Sequence, residues 1–484
     1  MSSFEFFVPC PRGLEAALAA ELREIGAYAP IQVGAEVPGG VHLAGDWAAA
    51  MAVNLHSRIA SRVLLKIAQR PYRNEHDIFA FALEQEWERW FTANQTLRID
   101  VTAIKSPLRS LEFTTLRVKD AVCDRLRDKT GARPNIDTVE PDVRIFVFVT
   151  ATDCTLYIDT SGDPLFKRGW RLDKGAAPLR ENLAAGILRL TGWTPETPLY
   201  DPMCGSGTFL AEAVQQALGV APGVQRRFGF EKFKSYDITA WQGLKVAAMD
   251  KARAARGAKA SDLPIFGSDI SGDMLDKARA NLARAGVPTL SLKQLDARNM
   301  VAPVDAPGIL VANPPYGERI EVRGRGPRGE ERPRGERDQA RGGRGGRNDG
   351  GDRGGYRGEQ RGEQRSAHRG DPRDEYRGGR DEDDAPRGFE RAQSEELGAE
   401  FFQTFGNALK HHFTGWRAYM LTSDRGLPGQ LRLRESTKTP LYNGALECRL
   451  FRFDVVAGPV RRRDGDAANA PDAPDARTGM DSGE

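Results

Sequence analysis

DPMCGSGTFLAEA, residues Asp201–Ala213, follows the short apolar segment PLY and opens a run with helical spacing. Gly205 and Gly207 let the backbone turn tightly and approach a ligand closely. A helix starting at such a turn presents unpaired N–H groups and the positive end of its dipole, an environment that suits an amino-acid carboxylate. No Gly-Lys-Ser/Thr follows, so the loop is not a Walker phosphate loop. Alone, the turn also fits a plain strand-to-helix connection, and the flanking chain has to decide. From about Ala176, short apolar strands alternate with helices: PLYDPMCGSGTFLAEAV, PIFGSDISGDMLDKARANLARAG, LSLKQLDARN and GILVANPPYG. This alternation predicts an α/β fold, a Rossmann-like domain with a mostly parallel sheet and helices on both faces. Such sheets bind ligands beyond the carboxyl ends of their strands, so the residues at those ends are the candidates for a site.

At the first end stand Asp201, Pro202 and Cys204; the cysteine has no neighbouring base in sequence and reads as a packing residue, not a nucleophile. The second end is GSDIS (Gly267–Ser271), where Asp269 is placed to accept both hydroxyls of a ribose or, equally, to cap a surface helix. LDARN (Leu295–Asn299) puts Asp296 where it could meet an adenine amine. The fourth, NPPYGER (Asn313–Arg319), decides the chemistry. Two prolines stiffen the backbone and remove donors, which leaves the Asn313 side-chain oxygen and the Pro314 carbonyl free as acceptors. An exocyclic base amine is a poor nucleophile because its lone pair is delocalised into the ring. Two acceptors holding its hydrogens favour a pyramidal nitrogen and stabilise the positive charge that develops. Tyr316 is placed to stack on a base turned out of its strand. With a sulfonium methyl donor, S-adenosyl-L-methionine, the rest of catalysis is in-line positioning.

The preceding half reads as a small α+β region. Expected strands are Phe4–Pro9, Gly39–Gly45, Thr96–Ile104, Val143–Thr150 and Cys154–Gly162, the last two paired through a short turn. Expected helices are Gly13–Leu22, Trp47–Leu55 capped by Asp46, Ala80–Phe91 and Leu116–Gly131. Residues 321–393 are Arg/Gly-rich, hold no lysine and have almost no aliphatics. Such a stretch cannot bury enough apolar surface to offset its ordering, so it is expected to be a disordered insertion, with the fold resuming as a helix at Ala399–Phe413 and a strand at Arg417–Ser423. From Glu321 to Arg380 about 17 arginines stand against about 12 acidic residues, and the acidic Asp381–Asp384 follows; such an offset charge fits a solvated loop better than an RNA arm. Expected boundaries are 1–46, 47–160, a linker 161–175, 176–458 and a disordered tail 459–484.

Composition bounds the rest. The 484 residues allow two or three cores. No apolar run is long enough for a membrane helix, and the start lacks the pattern of a signal peptide. Five scattered cysteines and six histidines show no metal-ligand spacing, so no metal is expected and a reducing, cytoplasmic setting fits. The net charge of +3 does not announce a nucleic-acid binder, so RNA contacts would have to be local. Candidates are Arg117, Lys119 and Lys129 on the Leu116–Gly131 helix, and Lys167, Arg168 and Arg171 between the halves. For each group the alternative is a solvated charge.

These motifs, with PRGLEAAL (Pro11–Leu18), GGVHLAGD (Gly39–Asp46), VKDAVCD (Val118–Asp124), RPNID (Arg133–Asp137), TSGDPLFKRGWR (Thr160–Arg171) and SDRGLPGQLRLRESTKTPLYNGALECRLF (Ser423–Phe451), resemble the THUMP-domain 23S rRNA guanine-N2 methyltransferases of bacteria. The likeness is to the N-terminal half of the bifunctional enzyme, without the second domain, so one activity is expected. The resemblance implies a THUMP-type RNA-binding region around Trp47–Thr160, preceded by a ferredoxin-like segment and followed by a class I methyltransferase domain. It implies S-adenosylmethionine at Asp201, Gly205, Gly207, Asp269 and Asp296, with Pro202 and Cys204 in the same turn and Asn313 beside it. Catalysis falls to Asn313, Pro314 and Tyr316, and the partner is 23S rRNA or a large-subunit precursor. Asn-Pro-Pro-Tyr alone also occurs in adenine-N6 and glutamine-N5 methyltransferases, so the substrate rests on the N-terminal region. A tRNA guanine-N2 methyltransferase and a non-catalytic ribosome-assembly factor with a methyltransferase fold are the alternatives.

Overall fold

In the computed structural model the described residues are 3–172, 179–259, 262–288, 290–315 and 384–456, with side chains excluded for 384–397. Tyr316, most of the Arg/Gly-rich insertion and the tail lie outside them.

The N-terminal half builds one seven-stranded sheet in the order β2-β3-β1-β4-β7-β6-β5. Its strands are β1 (Phe4–Pro9), β2 (Ile31–Val37), β3 (Gly40–Gly45), β4 (Leu64–Pro71), β5 (Leu97–Ala103), β6 (Val143–Val149) and β7 (Asp153–Asp159). All pairs are antiparallel except β5–β6. The expected β6–β7 hairpin is present, with Val149 opposite Cys154. In β6 alternate residues are buried, the period-2 pattern of a strand with one covered face. Helices α1 (Glu15–Ile25), α2 (Trp47–His56), α3 (Glu75–Glu84) and α4 (Leu111–Thr130) complete this half. Asp46 caps α2 as expected, accepting from the Ala49 N–H at 3.1 Å. α4 starts earlier than its apolar spacing suggested, because the Ser110 hydroxyl accepts from Phe113 N, and it ends at Gly131.

The helix expected over Ala80–Phe91 is a correction. Asn74 caps α3 by accepting from His76 N and Asp77 N, so the helix begins before Ala80. It stops at Gln85, whose backbone is extended, and Trp87–Arg89 forms a separate 3₁₀ turn. The buried Trp87 indole N–H donates to Ala82 O at 2.7 Å, and so takes up a carbonyl left at the end of α3.

The second sheet has the order β10-β9-β8-β11-β12-β14-β13. Strands β8 (Leu199–Asp201), β9 (Ile265–Asp269), β10 (Leu292–Gln294), β11 (Ile309–Ala312) and β12 (Arg417–Thr422) are parallel; the hairpin β13 (Thr437–Asn443) and β14 (Leu446–Asp454) adds an antiparallel edge. This is the mostly parallel α/β sheet expected. Helices α5 (Glu181–Leu190), α6 (Thr208–Ala217), α7 (Ile238–Ala255), α8 (Gly272–Arg284), α9 (Asp384–His412) and α10 (Leu427–Leu431) accompany it. The helix α9 begins at Asp384, before the expected Ala399 and inside the stretch read as disordered; the sequence there shifts from Gly/Arg to the helix formers of ERAQSEELGAE. Its Phe402, Phe405, Ala408 and Leu409 recur at helical spacing and are buried with Phe413 and Trp416. Each large side chain buried this way contributes about 1.5–3 kcal/mol. No described helix is long and apolar enough to cross a membrane.

Candidate active site

Four parallel strands end side by side. Asp201 on β8 is in register with Gly267 of β9, Asp269 of β9 with Gln294 of β10, and Leu310 of β11 with Tyr200 of β8. Asp201, Asp269, Asp296 and Asn313 therefore all stand at one carboxyl edge.

The glycine turn is held open from several directions. Gly205 and Gly207 have φ of 52° and 80°, in the left-handed region that favours glycine. A Cβ on Gly207 would fall 3.1 Å from the Ala278 Cβ of α8, so α8 fixes how close the turn can lie. Asp269 accepts from Gly205 N and Ser271 N, each at 2.9 Å. Cys204 N donates to Ser268 O at 2.9 Å, and the Ser268 hydroxyl lies 2.7 Å from that of Tyr200 and 3.4 Å from the Pro202 carbonyl. Asn281 Nδ2 donates to Ser206 O at 3.0 Å. Sequence reading did not find Ser268, Tyr200 or Asn281, because their partners are distant in the chain.

Asp201 is 2% exposed, and Met203 N donates to it at 3.2 Å. Burial pushes its carboxyl well above the usual range, the Asp269 charge adds to this, and the Met203 bond opposes it. Burial also pushes the Cys204 thiol well up, with Asp201 and Asp269 adding. A thiol so placed stays protonated at neutral pH, which suits packing and not attack. Asp296 follows β10 and caps a 3₁₀ turn, accepting from Arg298 N at 2.9 Å and from its guanidinium at 2.7 Å. The Arg298 bonds hold its carboxyl below the usual range.

The N-cap position of α6 is Gly207, which has no side chain to cap the helix, and Ser206, Thr208, Phe209 and Leu210 around this start are buried. A buried helix start without a side-chain cap needs another acceptor. At the same strand edge, Asn313 Oδ1 is buried with no hydrogen-bond partner among the described residues. An orphaned acceptor of this kind costs about 1–3 kcal/mol unless something donates to it. Pro314 is buried next to it. The described residues include no group of three His, Cys, Asp or Glu able to hold a metal ion.

Three family models match the chain: the RlmL ferredoxin-like domain over residues 5–64, the THUMP domain over 72–159, and the RMKL-like methyltransferase domain over 168–327. A putative RNA methyltransferase of Synechocystis, slr0064, is 31% identical over 93% of this chain and 96% of its own length. The chain belongs to the THUMP-containing RMKL-like methyltransferases. Ribosomal RNA large subunit methyltransferase K/L of Psychromonas ingrahamii is 40% identical over 65% of this chain, and the match covers 42% of that relative. The chain thus spans about half the length of the K/L relatives it matches. A possible methylase from Clostridium difficile 630 superposes with a TM-score of 0.70 at 25% identity, over 95% of this chain and 100% of its own.

The residues expected at RNA divide in two. Lys129 is exposed at the end of α4. Lys119 pairs with Asp120 at 3.0 Å, and Lys167 with Asp163 at 3.2 Å. The Arg117 guanidinium lies 4.1 Å from the Phe79 ring centroid, with its buried Nε unpartnered among the described residues. Arg168 is a correction: it is 2% exposed, and donates to Glu212 at 3.2 Å, Leu165 O at 2.7 Å and Arg58 O at 2.5 Å. With its donors spent inside the fold it offers nothing to RNA. Arg171 is likewise buried, against Glu181, Leu179 and Ser206.

Proposed function

We propose that this chain transfers the methyl group of S-adenosylmethionine to the exocyclic N2 of a guanine in large-subunit (23S) ribosomal RNA. The observation that carries the reading is Asn313 Oδ1: a buried acceptor without a described partner, on a rigid Asn-Pro-Pro segment at the edge where the glycine turn also opens. The methyltransferase domain supports a methyl donor, and the residues present suit S-adenosylmethionine. The uncapped start of α6 offers N–H donors to its carboxylate, and Asp269, fixed by Gly205 N and Ser271 N, keeps lone pairs for ribose hydroxyls. Asp296 would reach the adenine only while still holding Arg298. Substrate class is supported by the THUMP match and by the K/L relatives, which are named for large-subunit ribosomal RNA. A cytoplasmic place of action follows from that substrate.

When bound, the donor supplies an electrophilic methyl on a sulfonium. The protein's part is to hold the amine. Asn313 Oδ1 and the Pro314 carbonyl accept its two hydrogens, favour a pyramidal nitrogen and stabilise the charge that builds as the bond forms. Tyr316 would stack on the base. Burial of the acceptors makes these dipoles stronger than in water.

The test uses the purified chain, radiolabelled donor and three RNAs: 23S rRNA lacking base methylation, the same RNA in precursor particles, and tRNA. Asn313→Ala should lower methyl transfer at least about 10²-fold, on the scale of lost transition-state donors and acceptors, while RNA binding persists. Transfer at the wild-type rate would remove Asn313 from catalysis. Label in tRNA alone would move the substrate, and label in none of the three would end the reading.

A further inference from the structure

Arg171, expected at RNA, lies against the glycine turn. Its side chain is 6% exposed. One terminal nitrogen donates to Leu179 O and lies 3.5 Å from the Glu181 carboxylate; the other is 3.5 Å from the Ser206 hydroxyl, in the glycine turn itself. Nε is buried with no hydrogen-bond partner among the described residues. The backbone is anchored beside it, since Arg284 Nε donates to Trp170 O at 2.9 Å. A buried guanidinium with an unspent N–H, 3.5 Å from the residue before an uncapped helix start, still has a donor to offer an anion. Glu181 does not fully meet the demand: its carboxylate lies 3.5 Å from a terminal nitrogen and leaves Nε without a partner among the described residues, while the neighbouring Glu212 is already paired with Arg58 and Arg168. Two independent features, the open start of α6 and the unspent Arg171 donor, call for the same negative group at the same turn.

We infer that Arg171 binds the amino-acid carboxylate of the methyl donor, together with the N–H groups at the start of α6. The inference rests on the reading that S-adenosylmethionine is the donor. It gives the segment between the two sheets a role in donor binding, through a residue outside the four strand-end motifs.

The experiment measures binding by calorimetry with the full chain and no RNA. Two ligands are compared: S-adenosylhomocysteine, which carries the carboxylate, and 5′-methylthioadenosine, which lacks the amino-acid moiety. Arg171→Met should weaken S-adenosylhomocysteine about 10- to 100-fold, the worth of one charge-assisted hydrogen bond, and leave methylthioadenosine within about twofold. Arg171→Lys, which keeps a charge for Glu181, should show a smaller loss with the same selectivity, and it decides the matter if circular dichroism finds Arg171→Met unfolded. Equal weakening of both ligands, or of neither, in a folded variant overturns the inference and leaves the donor assignment standing. Failure of wild-type protein to bind either ligand overturns the donor assignment itself.

Discussion

His56 ends α2 with its imidazole stacked on Tyr28, the ring centroids 3.9 Å apart and the planes within 8°. Burial lowers its pKa from 6.5 to about 4, with Lys251 and Arg58 adding to the shift. In the unfolded chain the ring takes a proton near pH 6.5; in the folded chain it stays neutral until about pH 4. Between these values the unfolded state binds more protons, so this residue's contribution to stability is present above the window and is lost as pH falls through it. His56→Phe keeps an aromatic ring and removes the titration. Urea midpoints of wild type should drop relative to His56→Phe as pH falls from 6.5 toward 4, and two curves that stay parallel would exclude the effect. At this scale the sequence was readable where local chemistry constrains a side chain. Asn313 could be named because the two following prolines limit what its backbone can do. Arg168 and Arg171 could not be placed, because an arginine beside a turn has the same local pattern whether it meets RNA, a ligand or a buried glutamate.

The helix α6 carries the glycine turn at one end and a buried charge in its middle. Glu212 is fully buried, accepts from Arg168 Nε at 3.2 Å and pairs with Arg58 at 3.4 Å. Burial pulls the Arg58 guanidinium down from its usual range, and Glu212 is the leading influence holding it up. Glu212→Gln would leave two buried guanidinium groups without their counter-charge, at a cost of about 3–5 kcal/mol. Urea unfolding should show that loss, and adding Arg168→Met should recover part of it. A change under about 0.5 kcal/mol would mean that water already serves these arginines. Among elements, those with a local start, stop or period were legible: β1 from FEFFVP, α2 from Asp46, the β6–β7 hairpin and the βα units of the second sheet. The edge strand β2 was not, since IQVGAEV is only partly covered and lacks a clean alternation. α3 was misread because the tryptophans of EWERWF continue an apolar helical spacing, while Trp87 uses its indole to end the helix. The β13–β14 hairpin was not read at all: its stretch carried the family likeness but no strand assignment.

The two sheets share one interior. A single apolar cluster runs from Phe6, Val8 and Leu14 through Leu183 and Ile187 to Leu199, Leu210 and Val214. Contact is close enough that a Cβ on Gly186 of α5 would fall 2.3 Å from the Leu14 Cδ1 atom. Trp47 of α2 meets Phe233 with centroids 6.2 Å apart. Backbone and side-chain bonds cross the same boundary: Gly223 N to Leu55 O at 3.0 Å, Phe230 N to Thr160 O at 2.9 Å, and Asn182 Nδ2 to Ile59 O at 3.2 Å. Splitting the halves would expose this apolar surface and strip the Arg58–Glu212–Arg168 group of its counter-charges. Neither half can therefore unfold without a large loss in the other, although separate family models cover them. Calorimetry should give one transition whose measured enthalpy equals the van't Hoff value, the signature of a two-state unit. A fragment ending at residue 160 should fail to show a cooperative transition of its own. Two resolved transitions, or a fragment that melts sharply, would mean that the shared interior contributes little. The two halves would then be free to unfold independently.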